Sequence, residues 1–99
     1  MSIEELRKLR EILYQIAARH GIKMVYVFGS VVRGESGETS DIDFLVELEA
    51  GASPFGVGGF QYDVQELLGI EIDVIPTFAL AKVKDFDFVD NVQSEAVAL

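Results

Sequence analysis

The chain has 99 residues, 49% of them hydrophobic, and its 17 acidic and 8 basic residues give a formal net charge of −9. This length and hydrophobicity predict one folded domain over residues 1–99 and exclude a disordered acidic tail. The charge argues against unaided binding of DNA or RNA, and the absence of cysteine excludes disulfides and thiolate zinc sites. No apolar run is long enough to span a bilayer and no secretion-signal pattern opens the chain, so we expect a cytoplasmic protein.

The first predicted element is a helix from about Ser2 to Arg19. Ser2 and Glu5 have the spacing of a capping box, apolar residues follow at helical intervals, and Gly21 can end the helix. His20 falls at the end of this helix, where a cation suits the helix dipole. We therefore interpret His20 as a helix-end residue and not as a ligand or base.

Two predicted strands follow, separated by a glycine-rich turn. The first, from Lys23 to Phe28, is rich in β-branched and aromatic residues and stops at Gly29. A short helix over residues 31–34 and a polar loop over residues 34–40 come next. The second strand, from Ile42 to Leu48, is expected to pair with the first.

The second half of the chain predicts a helix and a third strand. Ser53-Pro54 has the form of a helix start and Gly69 that of a helix end, so we place a helix between them, to about Leu68. Its glycine-rich opening is either loose or pressed against another backbone. Glu71 to Ile75 alternates as a strand, which Pro76 ends. The predicted buried side of the helix consists of Phe55, Phe60, Val64, Leu67 and Leu68.

The last predicted elements are a short turn from Thr77 to Leu80 and a weakly periodic helix from about Asp85 to Ala96. The segment from Val92 to Leu99 is apolar. It is a candidate interface, and self-association of the chain stays open.

Asp41 and Asp43 open the second predicted strand and carry the clearest chemical signal. Residues two apart on a strand project from the same face, so the two carboxylates point one way while Ile42, Phe44 and Val46 point into a core. Neighbouring carboxylates raise each other's pKa unless a cation lies between them. Mg2+ takes carboxylate oxygens together with substrate phosphates, which favours a metal and triphosphate site.

Further residues support this site. Gly29 and Ser30, directly after the first strand, can offer backbone N–H groups and a hydroxyl to a triphosphate. Arg33 can bind a phosphate through its guanidinium, and Asp73 can share the face of the paired aspartates. Three carboxylates suit two metal ions that stabilise the attacking and leaving oxygens of a phosphoryl displacement. Each feature alone also has an ordinary explanation: solvated charge, a turn, or an ion pair of Arg33 with an acid such as Glu35.

The run GSVVRGESGETSDIDFLVE, residues 29–47, resembles the nucleotidyltransferase motif of the DNA polymerase β superfamily, in which a spacer separates Gly-Ser from Asp-x-Asp. It looks like the minimal nucleotidyltransferases, small prokaryotic proteins often paired with a HEPN (higher eukaryotes and prokaryotes nucleotide-binding) protein. The resemblance continues through FGVGGFQYDVQELLG, EIDVIP and EAVAL and covers nearly the whole chain. It implies an α/β (α+β) fold with a small mixed β-sheet flanked by helices.

The same resemblance implies that Gly29 and Ser30 hold nucleotide phosphates and that Asp41, Asp43 and Asp73 bind Mg2+, with two ions expected. The implied reaction transfers a nucleoside monophosphate, expected to be AMP from ATP, to a hydroxyl and releases pyrophosphate. Family members of this kind act as antitoxins that modify a tyrosine of a HEPN-type ribonuclease toxin.

Two other kinds of function share single features of this sequence. The chain could be a non-catalytic antitoxin subunit that neutralises a basic partner by association, which the charge of −9 favours. The small number of basic residues that could bind a triphosphate also favours this alternative, because Arg33 is the only one between Lys23 and Lys82. A nucleotide-sugar glycosyltransferase also uses Asp-x-Asp with a metal, but it needs a donor fold and an acceptor lobe that this chain does not hold.

Overall fold

The computed structural model describes residues 1–34, 42–80 and 82–99. Within these residues the strands form one mixed sheet of order β3-β2-β1-β4. Strand β2 runs antiparallel to β1 and parallel to β3, and β4 runs antiparallel to β1. The strand bounds are β1 Ile22–Phe28, β2 Ile42–Leu48, β3 Ile72–Pro76 and β4 Val97–Ala98.

Helices flank this sheet, as predicted. None of the helices in the described part of the chain is long and apolar enough to cross a membrane. Their bounds are α1 Ile3–Lys8, α2 Arg10–Arg19, α3 Ser30–Arg33, α4 Gly56–Leu68, α5 Thr77–Leu80 and α6 Phe86–Glu95.

The two faces of the sheet are covered by different helices. On one face Ile42, Phe44 and Val46 are buried with apolar residues of α1, α2 and α4, and Phe44 meets Phe60 edge to face at 6.0 Å between ring centroids. On the other face Leu45 packs in a smaller cluster with residues of α5 and α6. The predicted alternation along β2 is therefore confirmed for residues 42–46.

The first helix differs from the prediction, because it is divided at Leu9. Ser2 caps α1 by accepting a hydrogen bond from the Glu5 N–H at 3.2 Å, as its spacing indicates. The Leu9 N–H then bonds to the Leu6 carbonyl at 3.0 Å, three residues back, and this tighter turn separates α1 from α2. The prediction of one continuous helix from about Ser2 to Arg19 is therefore wrong.

The start of α4 also differs from the prediction. The helix begins at Gly56 and not at Ser53, whose hydroxyl instead accepts a hydrogen bond from the Phe55 N–H within the preceding turn. Phe55 lies outside the helix and is 90% exposed, and Leu67 is 37% exposed, so the prediction that these two side chains are buried is wrong. Phe60 and Val64 are buried and Leu68 packs against the core, while Gly69 ends the helix in the left-handed conformation, as predicted.

Gly56 explains the glycine-rich opening of α4. A Cβ at this position would overlap the backbone carbonyl oxygen of His20, so the two chain segments touch at backbone distance. His20 itself is the C-cap of α2, and its Nε2 lies 2.7 Å from Asp63 Oδ2 on α4. His20 therefore joins the end of α2 to the middle of α4, and its place at the C-cap confirms its interpretation as a helix-end residue.

The end of the chain completes the sheet. Asp85 caps α6 by accepting from the Phe88 N–H at 3.1 Å, and the strand β4, which was not predicted, follows the helix. Val92 and Leu99 are buried in the chain's own core clusters. The expectation of an interface over residues 92–99 is therefore wrong for its buried members, because they pack within this chain.

Replacing Gly56 by alanine is expected to destabilise the protein, whereas replacing Gly58 is not. Alanine at position 56 would push α4 away from His20 at a cost of about 1–3 kcal/mol. Alanine at position 58 meets no described atom within 4 Å and gains about 1 kcal/mol of helix propensity. Urea unfolding of both variants measures this difference, and equal shifts would contradict the packing of α4 on the end of α2.

Candidate functional site

Three residues lie side by side across the sheet. Asp43 of β2 is the register partner of Asp73 in the parallel strand β3 and of Phe28 in the antiparallel strand β1. Register partners on adjacent strands, which are about 4.8 Å apart, project from the same face, so one cation can reach both carboxylates. The predicted common face of Asp43 and Asp73 is therefore observed, while their chemical roles stay predictions.

The two aspartates line an open cleft of about 450 Å³. Asp43 is half-buried and Asp73 is exposed. Two kinds of wall surround them: a polar one contributed by α4 and an aromatic one contributed by β1 and α6. The lining residues are Phe28, Asp43, Gln61, Asp73, Val74, Ile75 and Phe88.

Gly29 joins β1 to α3 in a conformation that requires glycine. Its φ of 79° and ψ of −148° belong to a region that residues with a side chain rarely adopt. A Cβ at this position would lie 2.5 Å from Oδ2 of Asp43. The absence of a side chain at Gly29 therefore makes room for the carboxylate, and the turn after β1 fits against the start of β2.

Ser30 and Arg33 are the first and last residues of α3. Ser30 is half-buried and follows Gly29 directly, so the sequence-predicted phosphate-binding pair lies beside Asp43. Nη1 of Arg33 lies 2.8 Å from each carboxylate oxygen of Glu95, at the end of α6. Among the described residues Glu95 is an acid that pairs with Arg33, while Glu35 lies outside them, and the binding of a nucleotide by Arg33 stays a prediction.

The metal site is described only in part. Asp41, and Glu35 with it, lies outside the described residues. Within residues 1–34, 42–80 and 82–99, no group of three or more His, Cys, Asp or Glu side chains is arranged to hold a metal ion. The described chain contributes Asp43 and Asp73, whose oxygen donors are of the type that Mg2+ prefers.

Sequence reasoning did not identify Gln61 and Phe88 as lining residues of this cleft. A signal for Gln61 was present, because Gln61 and Gln65 are four residues apart and therefore lie on one face of α4. No local pattern marks Phe88, since its position depends on how α6 packs against the sheet.

Replacing Gly29 by alanine is expected to disturb Asp43 as well as the backbone. The strained φ costs about 1–3 kcal/mol, and the new methyl group displaces the Asp43 carboxylate. Gly34 is a matched control, because it also has a positive φ, of 74°, but a Cβ there meets no described atom within 4 Å. Urea unfolding and Mn2+ titration are the measurements. We expect both variants to lose stability and only Gly29→Ala to lose metal affinity.

An equal loss of metal affinity in the two variants would show that Gly29 acts on Asp43 through overall stability alone. An unchanged Mn2+ affinity in Gly29→Ala would show that the close approach of Gly29 to Asp43 has no bearing on metal binding.

The chain is similar to known nucleotidyltransferases in sequence and in fold. The family model described as Nucleotidyltransferase domain matches residues 6–99. A candidate protein adenylyltransferase of Methanocaldococcus jannaschii is 43% identical over 75 residues, which are 76% of this chain and 77% of that protein. A solved structure of a candidate minimal nucleotidyltransferase has a TM-score of 0.78 and 35% identity, over 100% of this chain and 97% of that chain.

The fold also occurs in a toxin–antitoxin complex. A chain from the structure of the tri-AMPylated Shewanella oneidensis HEPN toxin with an MNT antitoxin aligns with a TM-score of 0.61 and 12% identity. The alignment covers 93% of this chain and 69% of that chain, and at this identity it shows the common fold alone. From the family match over residues 6–99 and the 43% identical relative, the chain belongs to the nucleotidyltransferase domain family.

Proposed function

We propose that this protein transfers AMP from ATP to a hydroxyl of a HEPN-type partner protein and releases pyrophosphate, and that it thereby acts as an antitoxin in the cytoplasm. The observation that carries the proposal is the register of Asp43 with Asp73, beside the glycine turn at Gly29. The choice of a protein acceptor is supported by the 43% identical relative, which bears the name of a protein adenylyltransferase.

In this proposal Asp43 and Asp73, together with Asp41, hold Mg2+, and two ions are proposed. The donor set fits, because Asp43 and Asp73 lie on one sheet face and are carboxylates, as a hard cation requires. When bound, the metal supplies positive charge that stabilises the attacking and leaving oxygens of the displacement. Gly29 and Ser30 bind the triphosphate, and Arg33 adds a contact to one of its phosphates.

The proposed reaction is a single displacement at the α-phosphorus of ATP. The hydroxyl oxygen of the acceptor forms a bond to this phosphorus, and the bond from the phosphorus to the bridging oxygen of the leaving group breaks. Pyrophosphate departs with the electron pair of that bond. Asp73 accepts the proton of the attacking hydroxyl, for which its exposure in the cleft is suitable.

The partner supplies the acceptor hydroxyl in this proposal. The cleft is open, and Phe28 and Phe88 form part of its wall. An aromatic acceptor such as a tyrosine ring can pack against such a wall while its hydroxyl points to the aspartates. The charge of −9 suits a basic partner and disfavours a nucleic acid acceptor.

A second candidate function is neutralisation of the partner by association without catalysis. One observation favours it: the Arg33 guanidinium binds the carboxylate of Glu95, so a phosphate would have to compete with Glu95 for Arg33. The two functions differ in one measurable respect. A variant that cannot transfer AMP would still protect cells from the toxin if association were sufficient.

Replacing Asp43 or Asp73 by asparagine is expected to lower AMP transfer by at least about 100-fold, because each substitution removes a charged metal ligand. Transfer of label from [α-32P]ATP to the co-encoded HEPN-type protein, in the presence of Mg2+, measures the reaction. Asp90→Asn on the exposed side of α6 is the matched control and should retain wild-type activity. Absence of incorporation by the wild type, with all three variants equal to it, would exclude the enzyme function.

Arg33→Met is expected to raise the KM for ATP by up to about tenfold through loss of a charged phosphate contact, whereas Glu95→Gln is not. Both variants break the ion pair, whose loss costs at most about 1 kcal/mol of stability at such exposed positions. Only Arg33→Met removes the guanidinium. Steady-state kinetics with varied ATP separates the two roles, and equal KM changes would assign Arg33 a purely structural one.

A further inference from the structure

The strand that carries Asp73 lies at the edge of the described sheet. In the order β3-β2-β1-β4, β3 has a strand neighbour on one side only. An edge strand presents a row of backbone N–H and C=O groups that no strand satisfies, and it opens more readily than a central strand. The backbone that carries Asp73 therefore has a strand neighbour on one side only.

Two glutamines of α4 bind this edge directly before Asp73. Nε2 of Gln61 donates to the Ile72 carbonyl at 3.0 Å, and Oε1 of Gln65 accepts from the Ile72 N–H at 3.1 Å. Both backbone groups of Ile72 are thus taken by side chains spaced one helical turn apart. The backbone partners fix the orientation of each amide, so Gln61 is the donor and Gln65 the acceptor.

The side chain of Asp73 has no comparable support. It is exposed, and among the described residues no hydrogen bond or ion pair holds its carboxylate. Its position is therefore determined by the backbone on either side of it. A slip of β3 by one residue would turn Asp73 to the opposite face and away from Asp43.

We propose that Gln61 and Gln65 form a clamp on Ile72 that positions Asp73 for metal binding. The inference rests on the proposed function, in which Asp73 is a metal ligand. The two glutamines are positioning residues: they act through the backbone of β3, much as hydrogen-bond partners of ligands orient them in metal sites. Gln65 does not line the cleft, so a change at this residue reaches the carboxylate only through the strand.

The test compares three variants of the full chain. Gln65→Met keeps the length of the side chain and loses the acceptor, whereas Gln65→Glu retains an acceptor oxygen. Gln93→Met, on an exposed position of α6, makes the same chemical change away from β3. Two readouts are needed: amide hydrogen exchange at Ile72, which requires no metal, and Mn2+ binding followed by electron paramagnetic resonance.

We expect Gln65→Met to speed exchange at Ile72 and to raise the Mn2+ dissociation constant by about tenfold or more, as for other residues that orient metal ligands. Gln65→Glu should restore both towards wild type, and Gln93→Met should change neither. The proposal is overturned if Gln65→Met binds Mn2+ as the wild type does, or if Gln93→Met loses as much. Gln61→Met provides a second test if Gln65→Met does not fold.

Failure of the proposed function has a different signature. A wild-type protein that takes up no Mn2+ overturns that function and the metal part of this proposal. The exchange rate of the Ile72 amide then still decides whether the clamp exists.

Discussion

The pairing of β2 with β3 is the constraint on which the rest of the site depends. Because the two strands are parallel and in register from Ile42 with Ile72, Asp43 lies beside Asp73 and both side chains project from one face. Gly29, which directly follows β1, lets this strand end beside the pair, since its missing side chain leaves room for the Asp43 carboxylate. A slip of β3 by one residue would turn Asp73 away from Asp43 and would also turn the buried Ile72 out of the main core, so the site and the core depend on the same register.

The same sheet face serves both packing and chemistry. Tyr26, Leu45 and Ile75 form one row across the strands and belong to the smaller apolar cluster beneath α5 and α6. The next row in the same direction contains Asp43 and Asp73 together with Phe28. Side chains on one face recur every second residue, so the polar row begins directly where the apolar row ends. The cleft is thus built on strands whose other face carries the main core.

The negative charge of this chain and of its cleft would repel a triphosphate unless cations compensate that charge. Arg33, the basic residue nearest to Gly29 in sequence, forms an ion pair with Glu95. Lys23 is also paired, because its Nζ lies 3.3 Å from Oε1 of Glu47. A triphosphate brings further negative charge to a cleft that already holds two carboxylates. Divalent metal, or basic groups of a partner, is the physical means by which such charge is neutralised.

The sequence by itself determined the elements whose cause is local: the Ser2 cap, the alternation over residues 42–46 and the stop at Gly69. Only the tertiary structure decided the break at Leu9, the exposure of Phe55, the addition of β4 and the hold of two glutamines on Ile72. Caps, turns and strand alternation follow from neighbouring residues and can be read in order. Contacts between segments far apart in the chain depend on how helices and strands pack, which no local pattern encodes.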